Sequence, residues 1–115
     1  MPGGDRLHQD EIPPGTLYLL ILRTLARGGE MHGYEIANSI QRISADVLQV
    51  VEGSLYPALQ RMLIKGWVTA KWGVTAGNRR ARYYRLTALG RKQLEVEVSQ
   101  FQRVVEAITR VIQTA

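Results

Sequence analysis

The sequence predicts a mainly α chain with one small β-hairpin, closed by a long C-terminal helix. Three observations carry that prediction. Apolar residues recur at helical spacing before residue 66, the period switches to two between Trp67 and Leu86, and from Leu94 onward the apolar residues follow a heptad. With 115 residues, 45% of them hydrophobic and 22% charged, the chain fits one globular unit with a modest core.

The opening stretch "MPGGDRLHQDEIPPG" is polar and proline-rich, which predicts a flexible arm over residues 1–13 and not a secretion signal. The apolar run "LYLLIL" at 17–22 stops at Arg23, too short to span a bilayer, so a cytoplasmic protein without a membrane partner is expected. A first helix is predicted from Thr16 to about Arg27, ended by the Gly28-Gly29 pair. Its leucines surround the axis, so it needs cover on more than one side, from its own domain and from a second subunit. Next, "MHGYEIANSIQRI" gives a second helix opening at Tyr34 or Glu35, with Ile36, Ile40 and Ile43 on one face. His32 and Glu35 are three apart and fit a helix start better than a two-ligand metal site. "SADVLQVVEG" is predicted to be a connector with a short extended run.

"EGSLYPALQRMLIKGWV" supplies the third helix. Ser54 is the expected N-cap, Pro57 is placed in the first turn, and Gly66 provides the left-handed stop. Leu55, Leu59, Met62 and Leu63 form the buried stripe; Pro57, Gln60, Arg61, Ile64 and Lys65 face outward, with Ser54 at the edge and Tyr56 on the flank. Beyond it, "WVTAKWGVTAGNRRARYYRLT" alternates as two strands joined at Gly77-Asn78, with Tyr84 and Leu86 facing inward and Arg79 and Arg80 at the tip. The last segment, residues 91–115, spaces Leu94, Val98, Phe101, Val105, Ile108 and Ile112 by four and three in turn, a seam that one helix cannot bury alone.

Charge is segregated. Residues 53–92 hold nine basic and no acidic residues, against four basic and seven acidic in 1–52 and two and three in 93–115. A solvated face mixes both signs, so a block of this kind points to a polyanion, with nucleic acid ahead of a membrane. A short helix, an exposed basic helix and a basic hairpin, in that order, form a winged helix-turn-helix, expected over residues 14–90, whose third helix would meet base edges in the major groove. No cysteine is present, which excludes disulfides, and neither a phosphate loop nor a catalytic or metal-binding cluster stands out. A catalytic role, a cofactor and a resident metal are therefore not expected. Composition alone leaves open a nucleic-acid binder without sequence choice, of nucleoid or RNA-associated type.

The segments "HGYEIANSI", "EGSLYPALQRMLIKGW" and "RRARYYRLTALGRKQL" resemble, in this order and spacing, the PadR family of bacterial transcriptional regulators, over roughly residues 15–94. The resemblance implies a homodimeric repressor on a palindromic double-stranded DNA operator, released by a small hydrophobic or aromatic effector bound between subunits. It assigns DNA contact to Ser54, Tyr56, Pro57, Gln60 and Arg61 and to Asn78, Arg79 and Arg80; the outward helix face adds Lys65. A single helix after the wing is similar to the small subfamily that lacks a separate C-terminal domain. Dimerisation is expected from Leu17, Leu20 and Ile21 in the first helix and from Leu94, Val98, Phe101, Val105, Ile108 and Ile112 in the last. Phe101, the single phenylalanine, and Val105 are the expected effector contacts.

Overall fold

The computed structural model of the chain describes residue 12 and residues 15–114. Apart from residue 12, the arm expected over 1–13 lies outside the described residues. The elements run α1 (Leu17–Gly28), β1 (Met31–His32), α2 (Gly33–Ile43), α3 (Glu52–Ile64), β2 (Val68–Val74), β3 (Arg80–Leu86) and α4 (Ala88–Gln113). Among the described residues, four helices and a three-stranded antiparallel sheet of order β1-β3-β2 make a winged helix with a long C-terminal helix.

Local chemistry sets the boundaries. Gly29 ends α1 with a φ of 76° and returns its amide to the Leu25 carbonyl. His32 and Glu35 close a reciprocal cap on α2: His32 Nδ1 accepts the Glu35 amide at 3.4 Å, and Glu35 Oε1 accepts the His32 amide at 3.0 Å. This confirms the helix-start role of the pair, although α2 begins at Gly33, one residue before the expected Tyr34. At the end of α3, Trp67 donates to the Met62 carbonyl and Gly66, at a φ of 79°, donates to Leu63, a complete Schellman stop.

Two local expectations are corrected. The N-cap of α3 is Val51, not Ser54: the Val51 carbonyl accepts both the Ser54 and Leu55 amides, so Ser54 already lies inside the helix. Pro57 consequently sits past the first turn, where it removes the amide that would have met the Gly53 carbonyl; solvent takes over there, because Gly53 is exposed. The connector pairs with no strand and reaches Val51 in extended conformation. Ser44 Oγ accepts the Leu48 amide at 3.0 Å, and Ala45 and Asp46 turn the chain in the left-handed region at φ 53° and 66°.

Ile21, Leu22 and Leu25 of α1, Ile36 and Ile40 of α2, Leu55, Ala58, Leu59 and Met62 of α3, and Val68, Tyr84 and Leu86 of the sheet form one core. Ile21 is fully enclosed in it, so it cannot meet a second subunit as expected; Leu17, Leu20 and Leu94 pack on the same core while remaining half-exposed. The foot of α4 is fixed tightly. Thr87 caps it through the Gly90 amide and donates its hydroxyl to the Gly66 carbonyl at 2.7 Å, and its amide reaches Trp67. From residue 99 to 114 every side chain is exposed, so the second half of a helix about 39 Å long stands clear of the domain. Among the described residues no helix is long and apolar enough to cross a membrane.

Candidate nucleic-acid interface

The exposed side of α3 is delivered by its buried stripe. With Leu55, Ala58, Leu59 and Met62 sealed in the core, Ser54, Tyr56, Pro57, Gln60, Arg61, Ile64 and Lys65 must all face solvent, and they do. Tyr56 leans on the start of α2, where a Cβ on Gly33 would overlap its ring and hydroxyl. Burial first, and the neighbouring Glu52 second, push its hydroxyl above the usual tyrosine pKa, so it stays a neutral donor.

The wing carries one continuous face. Val68 pairs with Leu86, Ala70 with Tyr84, Trp72 with Arg82 and Val74 with Arg80. Near the domain that face is core; beyond the core the same alternation presents Trp72, Arg80 and Arg82. The Arg80 and Arg82 guanidinium carbons lie 4.7 Å and 5.9 Å from the Trp72 ring centre, a cation–π arrangement that keeps two long side chains extended. At the tip, Thr75 and Arg79 close a three-residue loop, with the Thr75 amide bonded to the Arg79 carbonyl at 2.8 Å and the Asn78 amide to the Thr75 carbonyl at 2.9 Å. The left-handed position, φ 63°, falls on Asn78, and Gly77 does not use its extra freedom.

Helix and wing meet at a cleft of about 860 Å³ that brings together Tyr56 and Gln60 with Trp72, Arg79, Arg80 and Arg82. Arg61 and Lys65 lie on the other flank of α3. There Arg61 Nε donates to the Tyr18 hydroxyl at 2.6 Å, Lys65 Nζ sits 5.2 Å from the Trp67 ring centre, and Tyr18 meets Trp67 edge-on at 5.4 Å. Ser54 and Pro57 are exposed on the first half of α3, and Asn78 is exposed at the wing tip, none of them lining the cleft. Among the described residues, Lys71 is the one cation of the 53–92 block with a carboxylate partner, Glu30 at 3.3 Å. Among those residues, no other cation of the block has a carboxylate within ion-pair distance. Sequence reasoning missed Tyr18, Trp72, Arg82 and Tyr34, which also lines the cleft; for Trp72 and Arg82 the strand alternation held the signal, whereas the surroundings of Tyr18 and Tyr34 are set by tertiary packing.

Comparison with known proteins agrees with this geometry. The model of the transcriptional regulator PadR-like family matches residues 21–96. An uncharacterized protein of Lysinibacillus sphaericus is 31% identical over 100 residues, 87% of this chain and 91% of that one. Among solved structures, a transcriptional regulator from Clostridium thermocellum superposes with a TM-score of 0.78 at 25% identity, covering 86% of this chain and 95% of the other. A PadR-like transcriptional regulator from Bacillus cereus gives 0.72 at 26% identity, covering 88% and 95%. The family match runs from within α1 to the foot of α4, and on that basis the chain belongs to the PadR-like family of transcriptional regulators.

Proposed function

We propose that the protein is a homodimeric, sequence-specific repressor that binds a palindromic double-stranded DNA operator in the cytoplasm and has no catalytic activity. One observation carries the reading: the exposed flank of α3 and the arginine-bearing face of the wing open on one cleft. In this reading Ser54, Tyr56, Pro57, Gln60, Arg61 and Lys65 enter the major groove, while Asn78, Arg79 and Arg80 grip the neighbouring backbone or minor groove. The dimer is supported by the bare second half of α4, where Phe101, Val105, Ile108 and Ile112 share one side and stay 41% to 75% exposed in the single chain. Leu17, Leu20, Leu94 and Val98 extend that surface onto the domain. A planar apolar effector would stack on Phe101 and Val105 across the two-fold axis and weaken DNA binding by the coupling that linkage requires.

A gel shift on the promoter beside its own gene, competed with unrelated duplex, tests the reading. Retention of the specific band at high competitor is the expected result. Loss of the band to unrelated duplex as readily as to unlabelled promoter would replace it with sequence-neutral nucleic-acid binding.

A further inference from the structure

The outward polar side chains of α3 are not equivalent. Gln60 opens on the cleft beside the wing, whereas Arg61 is tied across the domain to a residue 43 positions earlier, Tyr18 on α1. The tie uses a particular atom. Nε of Arg61 donates to the Tyr18 hydroxyl at 2.6 Å, and the guanidinium carbon lies 5.7 Å from the centre of the same ring. Tyr18 is itself held by Trp67, whose ring it meets at 89° and 5.4 Å. Among the described residues, no carboxylate lies within ion-pair distance of Arg61, and its terminal nitrogens make no other hydrogen bond.

An arginine can present a paired acceptor with either of two forks, one made of Nε and one terminal nitrogen, the other of both terminal nitrogens. With Nε occupied, the first fork is closed. We propose that Tyr18 is a positioning residue for DNA recognition, holding Arg61 so that its two terminal nitrogens alone meet a paired acceptor on DNA. The inference rests on the DNA-binding reading above. That acceptor has two chemical sources: the O6 and N7 edge of a guanine, or two oxygens of one phosphate. The Tyr18 hydroxyl accepts from Nε and keeps its own proton, so a bond donated directly to DNA is the competing role for Tyr18, and the double variant below separates the two. The positioning contribution is entropic: a long side chain immobilised before binding has less rotamer freedom to lose on the DNA.

The test uses the full chain and a duplex selected by the wild-type protein from a random pool. Four proteins are compared: wild type, Tyr18→Phe, Arg61→Ala and the double variant. Tyr18→Phe keeps the ring and its edge contact with Trp67 and removes only the hydroxyl. Arg61→Ala is expected to weaken binding by roughly 5- to 100-fold, the range of one paired contact. Tyr18→Phe should cause a smaller loss, about 3- to 10-fold, of the size expected from freeing one long side chain. Adding Tyr18→Phe to Arg61→Ala should then cost nothing more. Equal melting temperatures for wild type and Tyr18→Phe would show that folding is intact; if they differ, the non-additivity still separates positioning from general destabilisation. Single-base substitutions across the duplex distinguish the sources. Lost preference at one position per half-site marks a guanine, and a uniform loss with a salt slope lower by about 1 marks a phosphate. Wild-type affinity in Tyr18→Phe, or the same loss from Tyr18→Phe in both backgrounds, would overturn the proposal. Wild-type affinity in Arg61→Ala would instead overturn the assignment of Arg61 to the DNA interface.

Discussion

A methyl group added at Gly90 would overlap the Trp67 carbonyl oxygen, a backbone atom that cannot swing aside, and would crowd Leu86. Gly90→Ala should therefore cost about 1–3 kcal/mol, the range for overpacking a tight site, read as a lower midpoint in urea unfolding. Gly53 provides the contrast. It lies in α3 with open space around its Cα, so Gly53→Ala should raise stability by up to about 1 kcal/mol through helix propensity alone. Tyr84 and Tyr56 both contribute to the alkaline limit, and Tyr84 is the more buried. Burial raises its hydroxyl above the ordinary 10.0, only partly offset by Arg82. The unfolded chain then ionises first, so the stability from this group is complete below pH 10 and is lost as the pH climbs through the folded-state value. Tyr84→Phe should flatten that alkaline loss in a melting series, and an unchanged slope would assign it to another group. At Trp72 the expected effect is on binding: without the indole, Arg80 and Arg82 lose the surface that keeps them extended, so Trp72→Ala should weaken DNA affinity at unchanged salt slope.

For the wing as an element, replacing Arg79 and Arg80 together with alanine should lower affinity alike for all sequences and reduce the slope of log affinity against log salt by about 1 for each lost phosphate contact. An unchanged slope would remove the wing from the interface. How the elements announced themselves in the sequence follows from the range of the forces that make them. α3, the hairpin and α4 were legible because each repeats a local period: Leu55, Leu59 and Met62 at helical spacing, Tyr84 and Leu86 at alternate positions, Leu94 to Ile112 in a heptad. β1 was not. Its two residues become a strand only by pairing Met31 with Tyr84 and His32 with Tyr83, more than fifty positions away, and a two-residue run has no period to read. The start of α3 was misplaced for a related reason: the cap preference of Ser54 is worth about 1 kcal/mol, which the packing of Leu55 and its neighbours outweighs. The two flanks of α3 were legible as one exposed face, but their separate partners, the wing cleft and Tyr18, are set by tertiary contacts.

The whole molecule is lopsided: a compact winged helix at one end and a bare apolar helix at the other, 55 Å along its longest axis. In the proposed dimer that helix acquires its missing neighbour. Phe101→Glu would set two like charges near the two-fold axis, so sedimentation should show monomer or loss of folded protein; a stable dimer would move the interface away from Phe101. Phe101→Leu should keep the dimer and lose the response to planar aromatic compounds, with fluorescence titration of both proteins as the measure. The fixed foot of α4 sets how the two ends communicate. Because Thr87 and Gly90 bind it to the turn that ends α3, in the proposed dimer the helix would act as a lever whose short arm is the proposed DNA-contacting surface. At 1.5 Å per residue, a tilt of only about 5° along its length displaces one end by roughly 3 Å relative to the other. Operator choice would then behave like a calliper: the gap between half-sites that the protein accepts is set by an angle at the far end, and a very small wedge there is enough to make the jaws miss both grooves.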